Sequence, residues 1–199
     1  MARGLLFVIS GPSGVGKNTV LNGVLEERKD MFYSISATTR PPRRNEVNGK
    51  DYYFLTKEEF EKAIENGELL EWALVYDNYY GTPRKAVEER LDKGQHVIMD
   101  LDIQGAAHIR NNMPEAILIF LLPPSREELK RRLLGRKSEA KAAVEKRLAY
   151  LEKELASIDR YDYVVVNDIL ENACRKVAAI ITAEEARADR GYWREQFLT

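Results

Sequence analysis

Sulfur chemistry is almost closed to this chain: its 199 residues contain one cysteine, Cys174, and two histidines, His96 and His108. A single thiol cannot form an internal disulfide, and no cysteine–histidine cluster offers the ligand spacing of a zinc site. The expected compartment is therefore a reducing, cytosolic one. The chain also lacks an excess of charge of either sign. Its 31 lysines and arginines meet 32 aspartates and glutamates, for a net charge of −1. No overall basic field draws in nucleic acid, so any phosphate ligand must be met by locally gathered cations. No apolar run approaches the roughly 18 residues of a membrane span, and a mean hydropathy of −0.44 suits a soluble protein. Neither nucleic acid nor membrane is an expected partner. The apolar opening "MARGLLFVIS" runs into a glycine-rich loop and a lysine instead of a secretory h-region, and reads as a first strand.

Four short runs rich in β-branched and aromatic residues, "LLFVIS", "HVIMDLD", "AILIFLL" and "YVVVND", read as buried strands. Helical patterns lie between and after them: "KNTVLNGVLEER", "PRKAVEERLDKG", "SREELKRRLLGR" and "DILENACRKVAAIITAEEARA". Capping signals at Ser125/Glu128 and Asp168/Glu171 open the last two. Strands alternating with helices predict an α/β fold, a doubly wound parallel sheet with helices on both faces. Two stretches break the rhythm. Residues 34–82 are dense in Thr, Arg, Tyr and Pro, with one short helix opened by a Thr56/Glu59 capping box, and residues 126–157 are helical and highly charged. Both read as insertions over a core made of 1–33, 83–125 and 158–199, all within one domain.

The loop "GPSGVGKNT" nearly spells G-x-x-x-x-G-K-[S/T]. Gly11, Gly14 and Gly16 let backbone N–H groups converge on phosphate oxygens, and the following helix aims its positive end at the same place. Lys17 would bridge the β- and γ-phosphates of a bound nucleotide. Pro12, Ser13, Val15, Asn18 and Thr19 complete the predicted ATP-binding loop. The pattern follows a predicted strand and opens a predicted helix, as its mechanism requires. Asn18, however, stands where a hydroxyl usually reaches Mg²⁺.

A phosphate loop alone does not choose among ATPases, GTPases and kinases. The cluster "SISATTRPPRRNEVNGKDYYF" narrows the choice, because Arg40 and Arg43 flank a stiff Pro-Pro pair that can hold two guanidinium forks toward one anion. Tyr52 can add a hydroxyl donor. Further on, "ELLEWALVYDNYYGTP" offers Glu71 in a half-buried pattern, followed by Tyr80 and Thr82. The spacing alone leaves Glu71 evenly balanced between a site residue and a partly buried salt-bridge partner.

Taken in order, "GPSGVGK", "SATTRPPR..E..G.DYYF", "LLEWA", "NYYGTP", "DLDIQG" and "GR...........RL" resemble the guanylate kinases from residue 11 to residue 168. That resemblance implies transfer of the γ-phosphoryl group of ATP to GMP, with dGMP also accepted and Mg²⁺ as cofactor. It implies that residues 34–82 form a GMP-binding subdomain in which Arg40, Arg43, Tyr52 and Tyr80 hold the phosphate while Ser36, Glu71 and Thr82 face the guanine. Guanine presents N1–H and an N2 amine side by side, two donors that one carboxylate accepts together. Adenine would turn a lone pair toward Glu71, and an unpaired buried carboxylate costs about 1–3 kcal/mol or more.

The same resemblance makes residues 126–157 a lid carrying Arg136 and Arg147 as catalytic cations, with Arg132 one helical turn before Arg136. Such guanidiniums neutralise the moving phosphoryl group only when the lid closes. Asp100 and Asp102 fall at the carboxyl end of a buried strand, where doubly wound sheets bind ligands. They suit Mg²⁺ through water, with contact from Asp100 to the GMP nucleoside also open, and Asp102 can equally cap the next helix. Asn167 falls where the family contacts adenine, or caps a helix. The tail "RADRGYWREQFLT" reads as a terminal helix or a contact between subunits, which leaves monomer and homodimer both open.

Two alternatives stand beside this reading. Another nucleoside monophosphate kinase would share the architecture but not the Glu71 and Ser36 pattern, and a non-catalytic scaffold domain would not be expected to keep Gly16, Lys17, Asp100, Arg136 and Arg147 together. The loop variation is testable directly. Nucleoside monophosphate kinases often read G-K-G-T here, so Asn18→Ser should leave GMP-dependent activity broadly intact; initial rates across a Mg²⁺ series check this, a large gain with tighter Mg²⁺ dependence being the contrary result.

Overall fold

The computed structural model describes residues 2–75, 77–134, 151–191, 193 and 197. Its core is a five-stranded, all-parallel sheet in the order β2-β7-β1-β8-β9. The four runs read from the sequence become β1 (Leu6–Ser10), β7 (Val97–Asp100), β8 (Ile117–Leu122) and β9 (Tyr163–Val166). The fifth strand, β2 (Phe32–Tyr33), has two residues and pairs with Val97 and Ile98 of β7. So short a segment carries no periodicity, which is why the sequence reading passed over it.

Alternation along β1 sends its side chains to two separate cores. Phe7 and Ile9 pack under α1 (Lys17–Glu27) and α6 (Leu170–Glu185), while Leu6 and Val8 pack under α3 (Arg84–Asp92) and α4 (Ile103–Asn112). All four side chains are at most 2% exposed, so the sheet is sealed on both faces as a parallel sheet must be. Of the capping expectations, Ser125 accepts the Glu128 N–H at 3.1 Å at the start of α5 (Arg126–Leu134). The Asp168/Glu171 pair does not form. Asp168 Oδ1 instead accepts the N–H of Ile169 at 2.7 Å, and α6 begins only at Leu170 behind an extended Ile169 with no side-chain cap.

The 34–82 stretch folds into a second, mixed sheet in the order β4-β3-β6-β5, formed by β3 (Ala37–Thr38), β4 (Tyr53–Phe54), β5 (Leu69–Val75) and β6 (Asn78–Pro83). Its helix α2 (Lys57–Glu65) has the full capping box between Thr56 and Glu59, and its buried Phe60 stacks on Tyr79 with ring centroids 5.1 Å apart. The back of β5 leans on α4: Asn112 donates to the Leu70 carbonyl at 3.2 Å, and His108 Nδ1 meets that of Trp72 at 2.9 Å. Of residues 126–157, α5 and the helical turn at 151–155 are described, joined by Leu129, Leu133 and Leu151 in a small core of their own. Arg136 and Arg147 lie outside the described residues.

Cys174 is buried, its thiol 3.6 Å from the Val20 carbonyl. A Cβ added at Gly23 would stand 2.6 Å from that sulfur, so the mid-helix glycine of α1 is what lets α6 approach. Alanine is favoured over glycine in a helix by about 1 kcal/mol. Even so, Gly23→Ala should destabilise the fold by about 1–2 kcal/mol through overpacking, and Cys174→Ala should remove that penalty. Denaturant midpoints of the two single variants and the double variant measure it.

Candidate active site

The phosphate loop leaves β1 at the point where the order of the sheet reverses, between β1 and β8, the usual ligand crevice of such sheets. Gly11, Gly14 and Gly16 have φ of 142°, 87° and 96°, all in the region that favours glycine. A side chain at Gly11 would also strike the Leu121 carbonyl at 2.3 Å, and one at Gly14 would strike Leu133 of α5 at 2.8 Å. The loop is thus held between β8 and the lid helix. Lys17 folds back across it and donates to the Gly11 carbonyl at 2.7 Å. Pro12 lies buried, Ser13 half-buried, and Asn18 and Thr19 are exposed at the start of α1.

Val15 is the fixed point of the loop. Its carbonyl accepts the Asn167 amide at 2.8 Å and Arg132 at 3.2 Å, while Arg132 also donates to the Asn167 carbonyl at 3.1 Å and to Glu128 at 2.7 Å. Asn167 therefore caps no helix. It braces the loop from the end of β9, where its amide would collide with any Cβ at Gly16. Thr19, Arg132 and Asn167 border an open cleft of about 510 Å³ that runs past Gly14 and Gly16 to Leu170.

Across the carboxyl ends of the strands, the second sheet presents the other predicted residues. Arg40 stands over the Tyr52 ring, 5.3 Å from its centroid, and its two terminal nitrogens donate to Glu46 at 2.8 and 2.9 Å. Glu46 also accepts the backbone N–H of Arg43 at 2.7 Å, while the Arg43 side chain is 73% exposed. Tyr80 lies edge-on to Tyr52 with centroids 6.2 Å apart, and Ser36 is half-buried with its carbonyl accepting from Tyr53. Burial raises the Tyr52 phenol to about 12, so it remains a donor at neutral pH.

Glu71 is 4% exposed and accepts the Thr82 hydroxyl at 2.7 Å. Burial pushes its carboxyl up to about 7; the Thr82 bond opposes that and the nearby Asp102 carboxylate adds to it. A Cβ on Gly105 would lie 2.7 Å from the Glu71 carboxylate, so the glycine of "DLDIQG" makes room for this group. Asp102 caps α4 by accepting the Gly105 N–H at 2.8 Å, and Asp100, in register with Ile9 of β1, accepts the Tyr33 hydroxyl at 2.8 Å. Among the described residues no three His, Cys, Asp or Glu side chains gather as a metal cage. Asp100 has one oxygen engaged by Tyr33, while Asp102 meets Gly105 through one oxygen and Gln104, at 3.5 Å, through the other; carboxylates so held fit an ion that arrives on nucleotide phosphates and keeps its waters.

The sequence reading missed four contributors. Glu46 stands in the quoted arginine motif without an assigned role, Gly105 passes as an ordinary helix residue, and Tyr33 sits on the unrecognised strand. The fourth, Glu154, comes from the returning lid helix, and its half-buried carboxylate accepts the Ser13 N–H close to Lys17. No local pattern announces that contact, because it joins positions 141 residues apart.

A parallel sheet with a lysine-bearing phosphate loop at its reversal, faced by an inserted mixed sheet, defines a phosphate-loop nucleoside monophosphate kinase. A family model described as guanylate kinase matches residues 3–184. A curated guanylate kinase of Clostridium acetobutylicum is 50% identical over 188 residues, covering 94% of this chain and 90% of that protein. That of Bacillus subtilis is 49% identical over 189 residues, covering 94% and 93%. The crystal structure of guanylate kinase from Anaplasma phagocytophilum matches with a TM-score of 0.80 at 38% identity, covering 95% of this chain and 90% of that one. The chain belongs to the guanylate kinase family.

A buried carboxyl held near 7, as that of Glu71 is, changes its charge across the neutral range. If Glu71 takes guanine, only its ionised form can accept the two guanine donors, and below about 7 the acid must first lose its proton. Affinity for guanosine, whose base does not titrate near neutrality, should rise from pH 6 to pH 8 by about tenfold and then level off. Calorimetric titration at fixed ionic strength measures the slope, and a flat profile would contradict the assignment.

Proposed function

We propose that this guanylate kinase family member moves the γ-phosphoryl group of ATP to GMP by direct in-line transfer, with no covalent enzyme intermediate. Asp100 and Asp102 would hold Mg²⁺ through water, and the bound ion would supply charge neutralisation on the phosphates. An oxygen of the GMP phosphate is the nucleophile, so the protein needs none of its own. Its task is to align two nucleotides and balance their charge. In this reading the loop 11–19 takes the ATP phosphates, with Lys17 released from the Gly11 carbonyl toward the β- and γ-phosphates. The cleft beside Thr19, Arg132 and Asn167 takes the adenosine.

The 34–82 subdomain takes GMP, its phosphate on Arg40, Arg43, Tyr52 and Tyr80 and its base on Ser36, Glu71 and Thr82. Residues 126–157 close as the lid, bringing Arg136 and Arg147 to the phosphoryl group and keeping water away. dGMP is accepted as well, because the motifs make no demand on a 2′-hydroxyl.

The observation that carries the choice of acceptor is the buried Glu71 carboxylate, bonded to Thr82 and seated over Gly105. A panel of GMP, AMP, CMP and UMP with ATP tests it, and AMP turnover equal to GMP turnover would defeat the reading. Glu71→Gln keeps the volume but offers guanine an amide, which should lower kcat/KM for GMP by about 100-fold while leaving KM for ATP within twofold.

A further inference from the structure

β2 is the point at which the core sheet hands the chain to the 34–82 segment: Tyr33 is its last residue, and the N–H of Ser34 is still bonded to the Ile98 carbonyl at 3.0 Å. Tyr33 pairs with Ile98, so its side chain leaves the sheet on the same face as Asp100, two residues farther along β7. Diagonal neighbours at this spacing are within reach of a long aromatic side chain. Here the phenol donates to Asp100 Oδ1 at 2.8 Å. The same phenol lies within electrostatic reach of Tyr52 and Asp51, and Tyr52 lies within reach of Asp100, so the four groups form one cluster between the core sheet and the 34–82 segment.

Packing does not explain the hydroxyl. The ring sits against the core under α1, where phenylalanine would fill the same space and spare the cost of burying a polar group. What the hydroxyl adds is a fixed direction for the carboxylate at the tip of β7. Asp100 is half-buried and follows three fully buried residues, so its backbone is set by the sheet while its carboxylate can turn. A bond to Oδ1 holds that group in one orientation and leaves Oδ2 to meet substrate, which is preorganisation paid once on folding.

We propose that Tyr33 is a positioning residue for Asp100, acting on the phosphoryl-transfer step through that carboxylate. The proposal rests on the placement of Asp100 in the substrate site. Tyr33→Phe should lower kcat about five- to tenfold, the size expected for the net worth of one hydrogen bond. KM for ATP should stay within twofold, and the thermal midpoint within about 3 °C.

Asp100→Asn and the double variant complete the test. If Tyr33 acts through Asp100, adding Tyr33→Phe to Asp100→Asn changes kcat less than twofold. An undiminished kcat in Tyr33→Phe, or its full fivefold loss repeated in the Asp100→Asn background, would overturn the proposal. A lowered thermal midpoint with kcat intact would overturn it too, as the mark of a merely structural role. Wild-type kinetics in Asp100→Asn alone would remove Asp100 from the site, which is a separate failure of the reading beneath it.

Discussion

The carbonyl oxygen of Val15 is the bond point on which the rest of the site depends. A loop rich in glycine has no preferred shape of its own, since glycine loses more freedom on folding than any other residue. Here the amide of Asn167 and the guanidinium of Arg132 converge on one buried peptide and fix the loop's outer turn. Asn167 belongs to the end of the core sheet and Arg132 to the lid helix. Three parts of the molecule that are far apart in sequence thus share one polar junction, itself tied to Glu128. A loop braced from behind can present its inner surface to phosphate without reorganising, the condition under which dipoles are most effective.

The 34–82 segment is organised differently. Arg40 is held by a carboxylate: Glu46 takes both of its terminal nitrogens and the backbone N–H of Arg43, so the Arg40 guanidinium has a set orientation. Aromatic rings below it, Tyr52 and Phe54, limit its rotation further. Glu71 shows the opposite device, a carboxyl kept from water so that its protonation is poised near neutrality. One part of the 34–82 segment holds charge in place, and the other leaves it poised between two protonation states.

The main lines of the fold were legible because they depend on long, strongly patterned segments. Four of the five core strands, the helices between them and the Thr56 capping box all lie where periodicity and end signals put them. β2 was not legible, because two residues carry no period and gain strand character only from their neighbour β7. The Asp168 cap failed for a related reason: an aspartate can bond the very next N–H as readily as one three residues on, and only the tertiary setting decides. Within the candidate site, Lys17, Arg40, Tyr52 and Glu71 stood out in the sequence by residue type and motif. Gly105 and Asn167 in its bracing role were not legible, because their reason for being there is a neighbour distant in sequence, and Glu46, though only six residues from Arg40, reads in sequence as one more charge in a polar loop.

The contact between Gly23 and Cys174 has one more consequence. The chain has a single thiol, and it is shut behind the seam of the two helices that cover one face of the sheet. Burial also pushes its pKa up, so while the seam is closed the group is held as the unreactive thiol. Covalent labelling at this sulfur can proceed only when the seam parts. Its rate is accordingly a built-in clock for the breathing of the core, silent toward movements of loops and lid and readable without adding a probe to the molecule.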